Sequence, residues 1–355
     1  MMEIFDILTT AVKKGASDIH IVVGKPPMYR LIGEMRPIEG FTEIITPEEA
    51  KRLIYSLLYD EQKRKFEETL ELDCSFNIPN VSRFRVNVLM HRNGIGAVLR
   101  VISTKIPAPE QLGFQQVITN LANLPRGFVL VTGPTGSGKS TTLACLIDII
   151  NTTRKEHILT VEDPIEFIYE SKGCIVTQRE VGQHTLSFAS ALKHALREDP
   201  DIVLVGEMRD LETIAAAITI AETGHLVFAT LHTTDAPSTV DRIIDVFPPH
   251  QQQQVRMQLS TSLQAVISQT LIPTADGMTR VAAREIMIAT PAVTNLIREG
   301  KTHQLYQTVE VGAKQGMISL DKALAQLVRD GSIKIDDALA KAHNPEMVKA
   351  AIYGR

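Results

Sequence analysis

Tryptophan is absent from this 355-residue sequence, and only 5% of its residues are aromatic. A protein that stacks the bases of single-stranded nucleic acid interleaves aromatic with basic side chains, and no such stripe is present. The net charge of −4 also gives no support for a nucleic-acid binder, whose surface is ordinarily basic. Cysteine is scarce. Cys74, Cys145 and Cys174 show no paired spacing, which excludes a disulfide framework and a zinc site and suits a reducing compartment. No run approaches the roughly 20 apolar residues that a membrane span needs. The opening MMEIFDILTTAVKKG reads as an amphipathic helix with acids early and lysines late, without the unbroken apolar stretch of a signal peptide. These absences point to a soluble, cytoplasmic protein. What is present, 44% hydrophobic and 22% charged residues, is ordinary for a globular chain long enough to hold two or three domains.

The first third of the chain mixes helix and strand signals. DIHIVVG reads as a strand, and TPEEAKRLIYSLLY as a helix with Thr46 as cap and Pro47 at its first position. ELDCSFNI, SRFRVNVLM and GAVLRVI read as strands separated by turn residues, with no crossover helices between them. Successive strands of this kind form an antiparallel sheet, hence an α+β module. STKIPAPEQLG has two prolines and no periodicity, so the first domain is expected to end near Thr104. Beyond residue 113 the pattern changes. GFVLVTG, HILTVED, DIVLVGE and HLVFATLH are near-continuous apolar strands among helix-compatible segments, the signature of a parallel sheet covered on both faces. After residue 285 only short helices are expected: PAVTNLIREG, HQLYQTVEVGAKQG, SLDKALAQLVRDG and DDALAKAH.

The chemistry gathers at the ends of the apolar strands. GPTGSGKS, Gly133 to Ser140, follows a strand and opens a helix, the setting of a phosphate-binding loop. Its glycines let backbone N–H groups turn inward, Lys139 reaches the β and γ oxygens, and Ser140 holds Mg²⁺. Hydrolysis also needs carboxylates that hold the metal and orient a water. In DIVLVGEMRD four apolar residues run into Gly206 and Glu207, at the crevice where ligands of a doubly wound sheet sit. LTVEDPIEF places Glu162, Asp163 and Glu166 at another strand end, with Pro164 preventing the strand from continuing. Positive partners are needed where phosphoryl charge spreads. Arg85 and Arg100 fall in adjacent strands of the first domain, and alternation puts Arg83 and Arg85 on one face. Taken alone they read as solvated strand-face arginines, and become interesting only if another subunit's nucleotide lies against that sheet.

Two histidines bracket the run GHLVFATLH. At roughly 3.3 Å per residue, His225 and His232 lie about 23 Å apart, and their odd spacing sends them to opposite faces, so they do not share a metal ion. His232, at the strand's carboxyl end, is placed to hydrogen-bond a γ-phosphate or an acid such as Glu207. His225 follows a glycine that ends the preceding helix, and a domain-interface contact is expected of it.

In these motifs and in their order, the sequence resembles the secretion-type hexameric ATPases. GPTGSGKSTTLACLIDIIN matches the P-loop, VEDPIEF the Asp box, LREDPDIVLVGEMRDLETI an atypical Walker B, and TGHLVFATLHTTDA the His box. GASDIHI resembles the small PAS-like domain of that family, and the likeness covers essentially the whole chain. The resemblance implies an α/β fold: a PAS-like α+β N-terminal domain at 1–104, a linker at 105–112, a RecA-like P-loop ATPase core at 113–285 and a C-terminal helical region at 286–355. Within the family the sequence is similar to the type IV pilus retraction ATPases. Extension members carry an extra N-terminal domain and a tetracysteine zinc motif, neither of which is seen here, and PAVTNLIREG resembles a retraction motif that usually reads AIRNLIRE. Val293 and Thr294 replace its isoleucine and arginine, while Asn295, Leu296, Ile297, Arg298 and Glu299 fit. ALKHALRED carries Lys193 before Arg197 where the family usually has two arginines; lysine keeps the charge but lacks the bidentate fork.

The resemblance also implies roles. Gly133, Pro134, Thr135, Gly136, Ser137, Gly138, Lys139, Ser140 and Thr141 bind ATP, and Ser140 and Glu207 hold Mg²⁺. An Asp-box glutamate polarises the water, Glu166 being the first choice and Glu162 the second. Arg85 and Arg100 act as charge-neutralising arginines delivered from the N-terminal domain, and His232 reports nucleotide state. The implied assembly is a cytoplasmic homo-hexamer acting on an inner-membrane pilus platform protein, peripheral to the membrane through that partner, with no nucleic acid. An accessory retraction paralogue and a pilus-assembly or type II secretion ATPase of the same family are the alternatives.

Overall fold

The computed structural model describes residues 2–31, 33–79, 81–102 and 105–354. The chain forms two compact units, Met1–Lys105 and Ile106–Arg355; Thr104, the expected end of the first domain, lies outside the described residues.

In the first unit, a helix at Ile4–Lys13 buries Ile4, Ile7, Leu8 and Ala11, the i, i+3, i+4, i+7 stripe of an amphipathic helix. The strands are β1 (Asp18–Ile21), β2 (Met28–Leu31), β3 (Glu34–Pro37), β4 (Glu71–Ile78), β5 (Ser82–His91) and β6 (Gly94–Ile102), in the order β3-β2-β1-β6-β5-β4. Every pairing is antiparallel. Between β3 and β4 lie helices Pro47–Tyr55 and Asp60–Thr69; the first starts where expected, with the Thr46 hydroxyl accepting from the Glu49 N–H at 3.2 Å. Along β5, Phe84, Val86 and Val88 are fully buried while Arg85 between them is exposed, the alternation of a sheet with one covered face.

The second unit holds β7 (Gly127–Thr132), β8 (His157–Glu162), β9 (Ile175–Glu180), β10 (Ile202–Val205), β11 (Leu226–Leu231), β12 (Leu263–Pro273) and β13 (Arg280–Ile288), ordered β13-β12-β7-β11-β10-β8-β9. Six strands run parallel, and β13 returns antiparallel on β12. Alternate residues of β7 enter different cores: Phe128 and Leu130 pack on one face of the sheet, Val129 and Val131 on the other. Both faces are covered, which is why four of these strands are uninterrupted apolar runs.

Three strands lie outside that signal. β9 is an edge strand reading IVTQRE, and β12 carries Gln264, Ser268, Gln269 and Thr270 among its apolar residues, so neither shows a clean run. β13 also corrects the expectation of helices alone after residue 285, since it continues to Ile288 and Ile286 bridges Ile318. The helices beyond it lie at Pro291–Arg298, Leu305–Val311, Leu320–Arg329, Ile335–Leu339 and Pro345–Tyr353. No described helix is long and apolar enough to cross a membrane.

Candidate functional site

A parallel sheet brings the carboxyl ends of its strands to one edge. Here four neighbouring strands each deliver one expected motif there. The glycine-rich loop follows β7, the acidic turn follows β8, Gly206 and Glu207 follow β10, and His232 follows β11. Together they line one cleft of about 390 Å³ that includes Thr135 through Thr141, Glu162, Asp163, Glu166, Glu207 and His232.

The loop is a cradle shaped by its glycines. Gly133, Gly136 and Gly138 have φ of 141°, 77° and 87°, values that a side chain makes costly. The helix Lys139–Thr153 starts directly after them, so its unpaired N–H groups face the loop. The Lys139 ammonium donates to the Gly133 and Pro134 carbonyls at 2.8 and 3.0 Å. Burial pulls its pKa below the ordinary lysine value, with the charges of Glu166 and Glu207 opposing that pull. The Ser137 hydroxyl is buried without a hydrogen-bond partner among the described residues.

The two Asp-box glutamates differ. Glu162, the last residue of β8, is buried, and its oxygens accept from the Thr160 hydroxyl (2.7 Å), the Gln178 amide (3.2 Å) and the Glu166 N–H (3.4 Å). Burial pushes its carboxyl up to about 7, against those three bonds, and the charge of Glu166 adds to the push. Glu166 is exposed at the cleft, and its carboxylate bonds no other side chain or backbone group among the described residues. Glu207 pairs with Arg209 at 2.8 Å, and its other oxygen stands 3.5 Å from His232 Nε2.

The chain also recruits residues that the sequence motifs did not mark. On β9, Gln178 donates to the Phe167 carbonyl and accepts from the Tyr169 N–H, while Glu180 accepts from the Ile165 N–H. This strand therefore templates the acidic turn that carries Glu166. Arg280 and Leu271, from β13 and β12, complete the cleft wall. No signal in a polar edge strand or in an interrupted apolar run distinguishes these positions.

Arg85 and Arg100 belong to the other unit. They are direct cross-strand partners on β5 and β6, and Arg100 is also opposite Asp18 on β1, donating to it at 3.0 Å. Burial raises the Asp18 pKa, but the bonds from Arg100 and Ser17 outweigh it and hold the carboxyl below its ordinary value. Arg85 has no carboxylate partner among the described residues. His225 turns back on the preceding helix, Leu211–Glu222, its Nδ1 lying 3.0 Å from the Ile220 carbonyl and 3.2 Å from the Thr223 hydroxyl. In the altered C-terminal motif, Val293 is buried in the core, whereas Thr294 bonds the Pro291 carbonyl of its own first turn. Lys193 and Arg197 are both exposed.

A glycine-rich loop between a central parallel strand and a helix, facing acids on neighbouring strands, is the arrangement of a P-loop ATPase. Comparison with known proteins narrows the class. The family model for "Type II/IV secretion system protein" matches residues 2–350. The type IV pilus retraction ATPase PilT of Pseudomonas aeruginosa is 54% identical over 97% of this chain and 99% of its own length. The type IV pilus ATPase PilU of the same organism is 41% identical over 99% of this chain and 91% of its own. A crystal structure of the pilus retraction motor PilT with bound ADP superimposes with a TM-score of 0.92 at 45% identity, covering 98% of both chains. The chain belongs to the Type II/IV secretion system protein family and, within it, to the PilT-type pilus retraction ATPases. The architecture expected from the sequence, an antiparallel N-terminal sheet domain and a P-loop ATPase core, is borne out.

Proposed function

We propose that this chain binds and hydrolyses ATP as a cytoplasmic homo-hexamer at the base of a type IV pilus, and that hydrolysis drives filament retraction against an inner-membrane platform protein. The convergence of Lys139, Glu166, Glu207 and His232 on one cleft carries the ATPase part of this reading. Retraction is supported by the 54% identity, over 97% of this chain, to a type IV pilus retraction ATPase. The domain division proposed with it is a PAS-like domain to residue 104, a linker to 112, the ATPase core to 285 and the C-terminal region to 355.

The residues present fit a magnesium–nucleotide complex. Ser140 and Glu207 offer hard oxygen donors in one cleft, and no group of three or more His, Cys, Asp or Glu among the described residues could hold a metal ion by itself. That is the pattern expected where phosphates and water complete the shell. When bound, the ion neutralises phosphate charge. Lys139 leaves its loop carbonyls for the β and γ oxygens. Glu166, exposed and with its carboxylate unbonded among the described residues, polarises the attacking water; Glu162 holds the turn in place. Arg85 and Arg100 neutralise transition-state charge at a nucleotide held by a neighbouring subunit.

The deciding experiment deletes the gene and counts surface pili by electron microscopy. More pili than wild type, with surface motility lost, supports a retraction motor. Bald cells would make the protein an assembly motor, and unchanged pili with normal motility would reduce it to an accessory role.

A further inference from the structure

Gln269 sits in the middle of β12, 97% buried by its 3% exposure, and no expected motif includes it. Both ends of its amide bond the nucleotide loop and the helix behind it. Nε2 donates to the Ser137 carbonyl at 2.7 Å, and Oε1 accepts from the Thr142 hydroxyl at 2.8 Å. One side chain thereby brackets residues 138–141, the turn that faces the phosphates.

Two glycines of the loop make room for this contact. A Cβ on Gly138 would stand 3.2 Å from the Gln269 amide nitrogen, and one on Gly133 would stand 2.2 Å from the Gln269 carbonyl oxygen. The register that brings Gln269 here follows an irregularity in β12. Leu263 pairs with Phe128 and Ala265 with Val129, so one extra residue is inserted, and from there Ser268 lies opposite Thr132 with their hydroxyls 2.7 Å apart. Without that insertion, successive side chains would point to the opposite faces.

We propose that Gln269 is a positioning residue that holds the P-loop in its phosphate-binding form and so sets nucleotide affinity. The reason lies in peptide geometry. The Ser137 carbonyl and the Gly138 N–H belong to one planar trans peptide and point in opposite directions. Drawing the carbonyl back toward β12 turns the N–H forward into the cradle, where an anion accepts it. The bond to Thr142 fixes the same amide against the first turn of the helix, so loop and helix start move as one body.

The proposal rests on the reading of this loop as the nucleotide site, and the test separates the two. ADP binding to the full-length protein is measured by calorimetry for wild type, Gln269→Glu, Gln269→Leu and Thr142→Val, alongside melting temperature and ATPase kinetics. Gln269→Glu keeps the size and the acceptor for Thr142 but removes the donor to Ser137. Its ADP affinity is expected to fall about tenfold or more, the scale of a buried carbonyl left unpaired. Its KM for ATP should rise by a similar factor, with kcat at saturation falling less and binding stoichiometry unchanged. Thr142→Val, which leaves the Ser137 bond in place, is expected to lose about threefold or less. Wild-type affinity in both Gln269 variants, or a lowered melting temperature with unchanged affinity, overturns the proposal. Failure of the wild-type chain itself to bind ADP would instead remove the site reading, and the proposal with it.

Discussion

The Glu166 N–H donates to the Glu162 carboxylate at 3.4 Å, so the two acids of one turn are linked while their side chains occupy opposite environments. Glu162 is buried and held by three bonds, whereas Glu166 is exposed at the cleft. The relationship separates a residue that shapes the turn from one that is available to a water.

Glu166→Gln should therefore bind ADP like wild type and lose kcat by about 10²–10⁴-fold, the usual contribution of a positioned base. Glu162→Gln should lose much less kcat. Single-turnover hydrolysis by the two purified variants decides between them, and the reverse ranking would move the water-activating role to Glu162.

The Glu162 carboxyl also gives stability a pH dependence. Its folded pKa, about 7, lies above the ordinary value of 4.5, so between those pH values the folded chain holds a proton that the unfolded chain has released. Stability from this group is complete below pH 4.5 and is lost as pH rises through about 7. Glu162→Gln is expected to flatten the fall in melting temperature across that window, and a profile parallel to wild type would count against the assignment.

Arg85 and Arg100 face each other as like charges across β5 and β6, with Asp18 compensating only Arg100. Like charges directly opposite are unfavourable, and an incoming phosphate would relieve them. Arg85→Ala and Arg100→Ala should each lower kcat by about tenfold or more while ADP affinity is kept. A mixture of Arg100→Ala and Glu166→Gln subunits should regain activity above either alone, because some interfaces then combine an intact Glu166 with an intact Arg100. No regain would place the arginines in the same subunit as the nucleotide they serve.

His232 meets Glu207 at 3.5 Å with nearly half of its side chain exposed (46%), a contact of little weight for stability. His232→Ala should leave the melting temperature within about 2 °C of wild type and ADP affinity nearly unchanged, yet abolish retraction in a twitching assay. Normal hydrolysis together with normal motility would end the sensing role.

Much of the ATPase core was legible because its physics is local and periodic. β7, β8, β10 and β11 are covered on both faces, so they read as apolar runs, and the motif after each one is where the strand stops. β9 and β12 were not legible, since an edge strand has no second neighbour and β12 carries polar side chains toward the loop. The same polarity that hid them gives them their tasks: Gln178 and Glu180 hold the acidic turn, and Gln269 holds the glycine-rich one. His225 also escaped a local reading, because its ring meets the Ile220 carbonyl near the end of the preceding helix.

The sequence by itself determined the class of chemistry and the order of its parts, because a glycine-rich turn before a helix and acids at strand ends are set by a few adjacent residues. It also determined the two kinds of sheet, through alternation in one third of the chain and continuous burial in the rest. Only the tertiary structure decided which glutamate is buried and which faces the cleft, and that Arg85, Arg100 and Asp18 form one row. It also decided that a glutamine more than a hundred residues from the loop would bond it. Those outcomes depend on strand order, register and one inserted residue in β12, which arise from the packing of distant segments and leave no local periodic trace.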